Sequence, residues 1–413
     1  MEVFDAMRGF SDLLTKDRIT EAVVNAGQWL LTARKAACGA GVGFRDIIYY
    51  RNGRFRWLYP HSNMGEHIET YLDLYELTGD ERFREGAVGY ADGMASDPVK
   101  GIYQGEVSEA VGLTYYWRDV GSYTGMYSMR AVAPFWRLGE FTGKLRYYEI
   151  ARMIAGPLLR DFNPLGIPRH FAWTPDTGFF DGPNLAIGCR VGYLVGTYAF
   201  CEKVLQDPRG CEGRNRLLAA LDQIQNPDGS FPQTFLQGDG TPSDPSIKNH
   251  FFGYILNGLA TCLELFPDDV VARRIAIRLA DFIKKQVDYF GMVPYCGSAD
   301  NPNVTDQAAL FYPVIDPAPA LLRLSVILNR PDYRHYGERI WLGQWMRQGD
   351  APHWPEAHGA LPSCVDPLVK PSPKLAQYRG VDHLKEDPDR VACAGSYYMN
   401  QFIQAGVFLL KNR

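Results

Sequence analysis

Two groups of side chains in this chain have the chemistry to move protons. The first group is the pair Asn249-His250 together with Tyr295, which lies 45 residues beyond His250. A histidine exchanges protons near neutral pH, and a tyrosine in a shifted environment can serve as an acid or a base. An asparagine amide can hold an anion by hydrogen bonding. Such a group would suit removal of a proton next to a carboxylate.

The second group consists of carboxylates. Hydrolysis of a glycosidic bond needs two of them, ~5–5.5 Å apart for retention or ~6.5–9.5 Å apart for inversion. Asp181 and Asp306 each stand where a helix is expected to begin, and Glu66 is a third candidate. Either aspartate could instead be an ordinary helix N-cap. The nearby segments contain further acids: Glu106, Glu109, Asp119 and Asp176.

A repeat of about 63 residues organises the chain around both groups. Its turn sequence is clearest at Leu77-Thr78-Gly79-Asp80. Six markers, at Asp17, Asp80, Lys144, Asp207, Asp268 and Pro331, are separated by 63, 64, 63, 61 and 63 residues. The segment after each marker is amphipathic, whereas the segment before it is apolar on nearly every side, which is typical of a buried helix. We therefore predict an all-α protein, an (α/α)6 toroid of six inner and six outer helices, formed by residues 1–413 as one domain.

The long connections predict where the site lies. Turns from an inner to an outer helix are short, but all six connections in the other direction are long and lie on one face, at the N-termini of the inner helices. Loops longer than ~12–15 residues are usually functional. The predicted inner helices cover 63–78, 123–141, 184–205, 249–266, 306–328 and 394–411. The predicted outer helices cover 17–33, 80–95, 144–159, 208–225, 268–287 and 331–347.

This architecture resembles the (α/α)6 carbohydrate-active enzymes, which include unsaturated-glucuronyl hydrolases, polysaccharide lyases and sugar epimerases. The segment Pro60-His61-Ser62-Asn63-Met64-Gly65 is similar to the His-Asp-x-Gly motif of those hydrolases, but Ser62 and Asn63 stand in place of the acid. The second inner helix, from Tyr123, also lacks the Asp that the hydrolases carry. Asn249-His250 with Tyr295 is similar to the Asn-His pair and distant Tyr of toroid lyases that act on uronate polysaccharides.

The resemblance to the lyases implies β-elimination on a uronic-acid-containing glycan, with His250, Tyr295 and Asn249 as the catalytic residues. Elimination requires neutralisation of the uronate carboxylate, a base for the adjacent proton and an acid for the leaving oxygen. Asn249 and an arginine, Arg130 or Arg190, would hold the carboxylate. Tyr254, one helical turn from His250, could replace Tyr295. The other substrate-binding candidates at the mouth are His61, Asn63, Asp181, His353 and two aromatic residues suited to stacking on sugar rings, Trp57 and Trp173.

Three alternatives stay open: a glycoside hydrolase with paired carboxylates, a sugar epimerase, and a glycan-binding toroid without catalysis. The 43 basic and 47 acidic residues give a net charge of −4 without a basic run, so no nucleic-acid partner is expected. No segment approaches ~18 consecutive apolar residues, so no membrane partner is expected. No cofactor or metal is expected either, because there is no Cys-x-x-Cys pair and Pro355 interrupts the His353–His358 spacing. The expected location is cytoplasmic, unless the chain begins after a removed signal peptide. The oligomeric state is left open.

Overall fold

The structure of the chain is a computed structural model. It describes residues 13–39, 49–51, 54–56, 64–96, 116–117, 122–124, 129–160, 162–168, 172–174, 178–179, 189–232, 234–236, 242–244, 249–287, 291, 293, 314–345, 348, 358–359, 361 and 399–413. Within these ranges twelve α-helices alternate between an outer and an inner layer. The outer helices are α1 (Lys16–Gly39), α3 (Glu81–Ser96), α5 (Leu145–Leu158), α7 (Arg209–Ile224), α9 (Val270–Gln286) and α11 (Pro331–Trp345). The inner helices are α2 (Met64–Thr78), α4 (Val132–Thr142), α6 (Leu194–Lys203), α8 (Asn249–Leu265), α10 (Pro317–Ile327) and α12 (Met399–Lys411).

The repeated turn between an inner and an outer helix has a local chemical cause. Thr78 Oγ1 donates to Leu74 O (2.7 Å) at the end of α2, and Gly79 follows with a left-handed φ of +67°. Asp80 Oδ1 then accepts from the backbone N–H of Arg82 (3.0 Å) and caps α3. A glycine adopts positive φ without steric cost. The turn sequence therefore ends one helix and starts the next within a few residues.

The outer helices bury the stripe that their sequences predict. On α9, Ile275, Leu279 and Ile283 are fully buried. Asp269 caps the same helix by accepting from the N–H groups of Val271 and Ala272 (3.1 and 2.9 Å). This agreement between periodicity and burial is what places α9 outside the inner layer.

The inner helices pack closely on one another. The spacing of Gly188, Gly192 and Gly196 predicts a close approach between two helices. Gly192 and Gly196 both lie against α8 at such a close distance. A Cβ atom at Gly192 would lie only 2.5 Å from Ile255 Cγ1 on α8. Gly188 lies outside the described residues.

The ring of helices closes between the two ends of the chain. The last inner helix, α12, packs against both α1 and α2, and Trp341 Nε1 on α11 donates to Phe402 O of α12 (2.9 Å). The predicted (α/α)6 toroid is thereby confirmed. Among the described helices, none has the length and apolarity of a membrane span.

Three predicted helix starts differ from those in the structure. The predicted inner helix 123–141 begins instead at Val132, because Tyr123 belongs to a strand that pairs with Trp173. In the third unit, Cys189–Tyr193 form a 3₁₀ segment before α6. Helix α10 begins at Pro317, later than the predicted 306, although 301–313 lie outside the described residues.

Short strands, which the sequence did not predict, occupy the long connections. They form a hairpin of β1 (Tyr49–Arg51) and β2 (Arg54–Arg56), an antiparallel sheet of β3 (Tyr116–Trp117), β4 (Ser122–Thr124), β5 (Ala172–Thr174) and β6 (Gly178–Phe179), and a hairpin of β7 (Thr234–Leu236) and β8 (Pro242–Asp244). The pairing of β4 with β5 joins the connections of two different repeat units. Each strand has only two or three residues, so the class of the fold is unchanged.

Candidate functional site

An axial ring of side chains lies at the N-terminal end of the inner helices. The ring takes one residue from each of five inner-helix units, and all five residues line the central cavity: Glu66, Arg130, Tyr193, Tyr254 and Gln401. Each of these residues lies within the first two turns of its inner helix or just before it. The long connections join the barrel at this same end. The ring is therefore on the face where the sequence predicts the site.

Arg130 is the cation of the axial ring. Its guanidinium carbon lies 3.9 Å from the ring centre of Tyr254 and 4.9 Å from that of Tyr193. Its Nη1 is 3.6 Å from Glu66 Oε1, and the side chain is 1% exposed. The faces of aromatic rings attract a cation, most strongly where water is excluded. Two tyrosine rings thus contact the guanidinium, and the carboxyl group of Glu66 pairs with it.

The segment that carries Arg130 is held by a neighbouring helix. Thr197 Oγ1 on α6 donates to the carbonyl oxygen of Met129 (3.0 Å), and both residues are buried. This bond fixes the turn just before α4, where Arg130 lies. The position of the guanidinium is therefore set by the packing of the inner helices.

Glu66 is a buried carboxyl group in the axial ring. Its Oε2 accepts from Gln401 Nε2 (3.1 Å), so α2 and α12 are joined across the closure of the toroid. Burial raises the pKa of Glu66, against the opposing effect of Arg130, and nearby Asp316 raises it further. A protonated carboxyl group is suited to act as a general acid.

Two further polar residues lie close to the ring. Asp316 is fully buried just before α10, and its main-chain carbonyl accepts from Asn257 Nδ2 on α8 (2.9 Å). His67, next to Glu66, has its Nδ1 2.8 Å from Asn400 Oδ1, and its ring meets the edge of Tyr90 at 5.0 Å. His67 therefore connects α2 to α12 and α3 and is part of the helix packing.

The predicted site residues fall into three sets. The structure places Arg130 and Tyr254 in contact in the axial ring, and Asn249 fully buried as the first residue of α8. His250, Arg190 and Trp173 lie in α8, the 3₁₀ segment and β5, but their side chains are outside the described part. The remaining candidates lie outside the described residues: Tyr295, His61, Asn63, Asp181, Trp57 and His353, together with Asp306 of the hydrolase alternative.

Sequence analysis missed Tyr193 and Gln401 as residues of the ring. Tyr193 directly follows Gly192. The glycine spacing that predicts a close helix contact therefore also indicated the part of this unit that reaches the axis. For Gln401 the sequence holds no such signal, because its contact with Glu66 spans 335 residues.

Comparison with known proteins identifies the fold. No protein-family model matches the chain, and no curated protein sequence matches it. Solved structures do match. The chain is similar to cellobiose 2-epimerase from Spirochaeta thermophila (TM-score 0.66, 13% identity, 99% of this chain and 98% of that one). It is also similar to the unsaturated glucuronyl hydrolase from Bacillus sp. GL1 (TM-score 0.63, 15% identity, 96% and 97%) and to a polysaccharide lyase (TM-score 0.59, 13% identity, 96% and 97%). At these identities the likeness shows the fold, and the fold is the (α/α)6 toroid seen in carbohydrate-active enzymes.

Proposed function

We propose that the protein is a glycan-active enzyme, and specifically a lyase that cleaves a uronic-acid-containing glycan by β-elimination. The observation that carries the proposal is the Arg130–Glu66 pair at the axis of the toroid. The similar structures support the choice of substrate class, since they include an unsaturated glucuronyl hydrolase, a polysaccharide lyase and a cellobiose epimerase.

The electrostatics of the axial ring favour an anionic ligand. The pKa of Glu66 is raised by burial, so its protonated form is populated at higher pH than that of an exposed glutamate. Arg130 keeps its charge at any physiological pH. The axial ring therefore offers a guanidinium fixed by its neighbours in a low-dielectric setting, where a carboxylate gains most from such a group. A uronate carboxylate matches this charge and the fork of the guanidinium.

The proposed reaction uses the ring for binding and the first turn of α8 for chemistry. Arg130 and Asn249 hold the uronate carboxylate, which makes the adjacent C–H proton more acidic. His250 removes that proton, the electron pair forms a C=C bond, and the glycosidic C–O bond on the next carbon breaks. Tyr295 or protonated Glu66 gives a proton to the leaving oxygen. The atoms balance without water or a cofactor, and the products are an unsaturated uronate and a new sugar hydroxyl.

Product analysis on a panel of uronate polymers tests the proposal. An unsaturated uronate absorbs in the near ultraviolet because its C=C bond is conjugated with the carboxylate. The proposal predicts that the wild type forms ultraviolet-absorbing product. The rate of its formation should fall roughly 10²–10⁴-fold in His250→Ala, and the KM should rise in Arg130→Lys. New reducing ends without absorbance would reject the lyase reaction.

A glycoside hydrolase is a second candidate, and a specific observation favours it. Glu66 and Asp316 are both buried at the ring end of the inner helices and interact electrostatically. Two carboxyl groups with different protonation are the requirement for acid-base hydrolysis. This candidate predicts sugar release that is lost in both Glu66→Gln and Asp316→Asn, with no ultraviolet-absorbing product.

A further inference from the structure

The central cavity does not end at the axial ring. It has a volume of about 440 Å³ and continues between the inner helices towards their C-terminal ends. Side-chain exposure of the lining residues rises along the axis, from 1% at Arg130 through 15% at Asp73 and 29% at Arg137 to 53% at Lys411. The cavity therefore opens to solvent at the face of the short turns, opposite to the face of the long connections. We call this part the lower lumen, and its wall includes Glu69, Asp73, Arg137, Thr261, Arg323 and Gln404.

Most charges in the wall of the lower lumen are already paired. Arg137 Nη2 donates to Asp73 (2.7 Å) and to Glu76 (3.0 Å). Arg323 donates to both carboxylate oxygens of Glu264 (2.8 and 2.5 Å) and to Thr261 Oγ1 (2.8 Å). These pairs leave little net charge, so neither a free cation nor a polyanion is favoured over a neutral ligand. A paired guanidinium can still donate further hydrogen bonds, and a paired carboxylate can still accept them.

Glu69 is the exception in this wall. It lines the lumen, and no hydrogen bond or ion pair joins its carboxyl group to any other residue that the structure describes. Arg137 and Arg323 act on it electrostatically from two sides, and Asp73 and Glu66 act on it from its own helix. Gln404 on α12 also lines the lumen and makes no hydrogen bond within the described ranges. A carboxyl group and an amide thus face the same open space as unused hydrogen-bonding groups.

Apolar surface completes the lower lumen. Phe200 on α6 and Phe408 on α12 are part of its wall, and both are partly buried against the core. An aromatic face next to carboxyl, amide and guanidinium groups is suited to a pyranose, which has apolar C–H faces and a rim of hydroxyl groups.

We propose that the lower lumen is a second ligand site, which binds a neutral monosaccharide unit entering from the short-turn face. The hydroxyl groups of the sugar would donate to Glu69 and bridge to Gln404 and Arg137, with a C–H face against Phe200 or Phe408. The choice of a sugar rests on the glycan activity proposed above. The existence and the entrance of the site rest on the lumen alone.

Calorimetric titration of the full chain with neutral monosaccharides tests this site. The substitution Glu69→Gln keeps the shape of the side chain and breaks no hydrogen bond of the described structure, so the variant is expected to fold. The titration is run at about pH 8, above the pKa of about 7 for the folded-state Glu69 carboxyl group. We expect the variant to bind roughly tenfold more weakly there, because a hydrogen bond to a charged group is replaced by a hydrogen bond to a neutral one. Gln404→Trp should abolish binding by filling the lumen. Glu85→Gln, on the exposed side of α3, is the matched control and should bind as the wild type does.

Three outcomes would overturn the second site. The first is no binding of any neutral monosaccharide by the wild type. The second is binding that survives both Glu69→Gln and Gln404→Trp. The third is binding that is lost only in Arg130→Met, which would place the sugar in the axial ring. Turnover of uronate polymers is measured separately on the same variants. Turnover without sugar binding would reject the second site alone. Sugar binding in the lower lumen without turnover would reject the proposed function alone.

Discussion

The carboxyl group of Glu69 should make the stability of this protein depend on pH in an unusual direction. Burial, with Asp73 and Glu66 nearby, raises its pKa from the ordinary 4.5 to about 7, although Arg137 and Arg323 oppose this. In the folded chain Glu69 therefore holds its proton at pH values where the unfolded chain has lost it. The stabilising contribution of such a group is fully present below its unfolded pKa. It is lost as the pH rises through the folded pKa.

The size of the effect follows from the pKa itself. A pKa shift of one unit between the folded and unfolded chain changes the free energy of unfolding by about 1.36 kcal/mol. A pKa raised from 4.5 to about 7 therefore changes it by roughly 3 kcal/mol at most. Water in the open lumen screens part of this charge, which leaves roughly 1–3 kcal/mol. Glu69→Gln cannot ionise. The variant should therefore match the wild type below about pH 4.5 and become more stable than it by this amount at about pH 8.

Urea unfolding followed by circular dichroism, at roughly pH 5 and pH 8, measures the difference. Glu85→Gln removes an exposed carboxyl group from α3 and controls for the loss of one charge. The reasoning is refuted if the free energies of unfolding of Glu69→Gln and the wild type differ equally at both pH values. It is also refuted if the wild type gains stability over the variant as the pH rises, because Glu69 would then be stabilised as a carboxylate by Arg137 and Arg323.

Other substitutions test the packing that positions the axial ring. Gly192→Ala should lower the free energy of unfolding by roughly 1–3 kcal/mol, because the added Cβ collides with Ile255. Urea unfolding measures the change. At the control Gly156→Ala the added Cβ meets nothing within 4 Å, so this variant should be as stable as the wild type. Asp269→Ala should cost at least roughly 1–2 kcal/mol, because it removes both the cap of α9 and the ion pair with Arg214. Equal stability of this variant and the exposed-site control Asp268→Ala would contradict the assigned cap. Glu66→Gln should keep the fold and lower the rate of glycan cleavage, measured by product formation under substrate saturation; unchanged turnover would remove Glu66 from the chemistry.

The parts of the fold that depend on local chemistry could be predicted from the sequence. The turn at Thr78-Gly79-Asp80 contains its own left-handed residue and its own cap, so the repeat and its period are visible without tertiary contacts. The stripe on α9 is visible for the same reason, because a period of 3.6 residues is a property of one segment. The start of α4 could not be predicted, since Tyr123 becomes a strand through pairing with Trp173, 50 residues away.

The candidate site shows the same division. Arg130, Tyr254 and Glu66 could be chosen because each is a polar or aromatic residue near the start of a predicted inner helix. The hydrogen bond between Glu66 and Gln401 could not, because it exists only when α12 closes the toroid against α2. Closure also creates the lower lumen, whose wall comes from all six inner helices. A property of the closed ring leaves no pattern in a single segment.

Ultraviolet absorbance during incubation with uronate polymers tests the central claim most directly. If the axial ring binds a uronate for β-elimination, wild-type protein produces an absorbing unsaturated product, and Arg130→Lys needs more substrate to reach the same rate. Release of reducing sugar with no change in absorbance, lost in both Glu66→Gln and Asp316→Asn, would contradict the lyase reaction and identify hydrolysis instead.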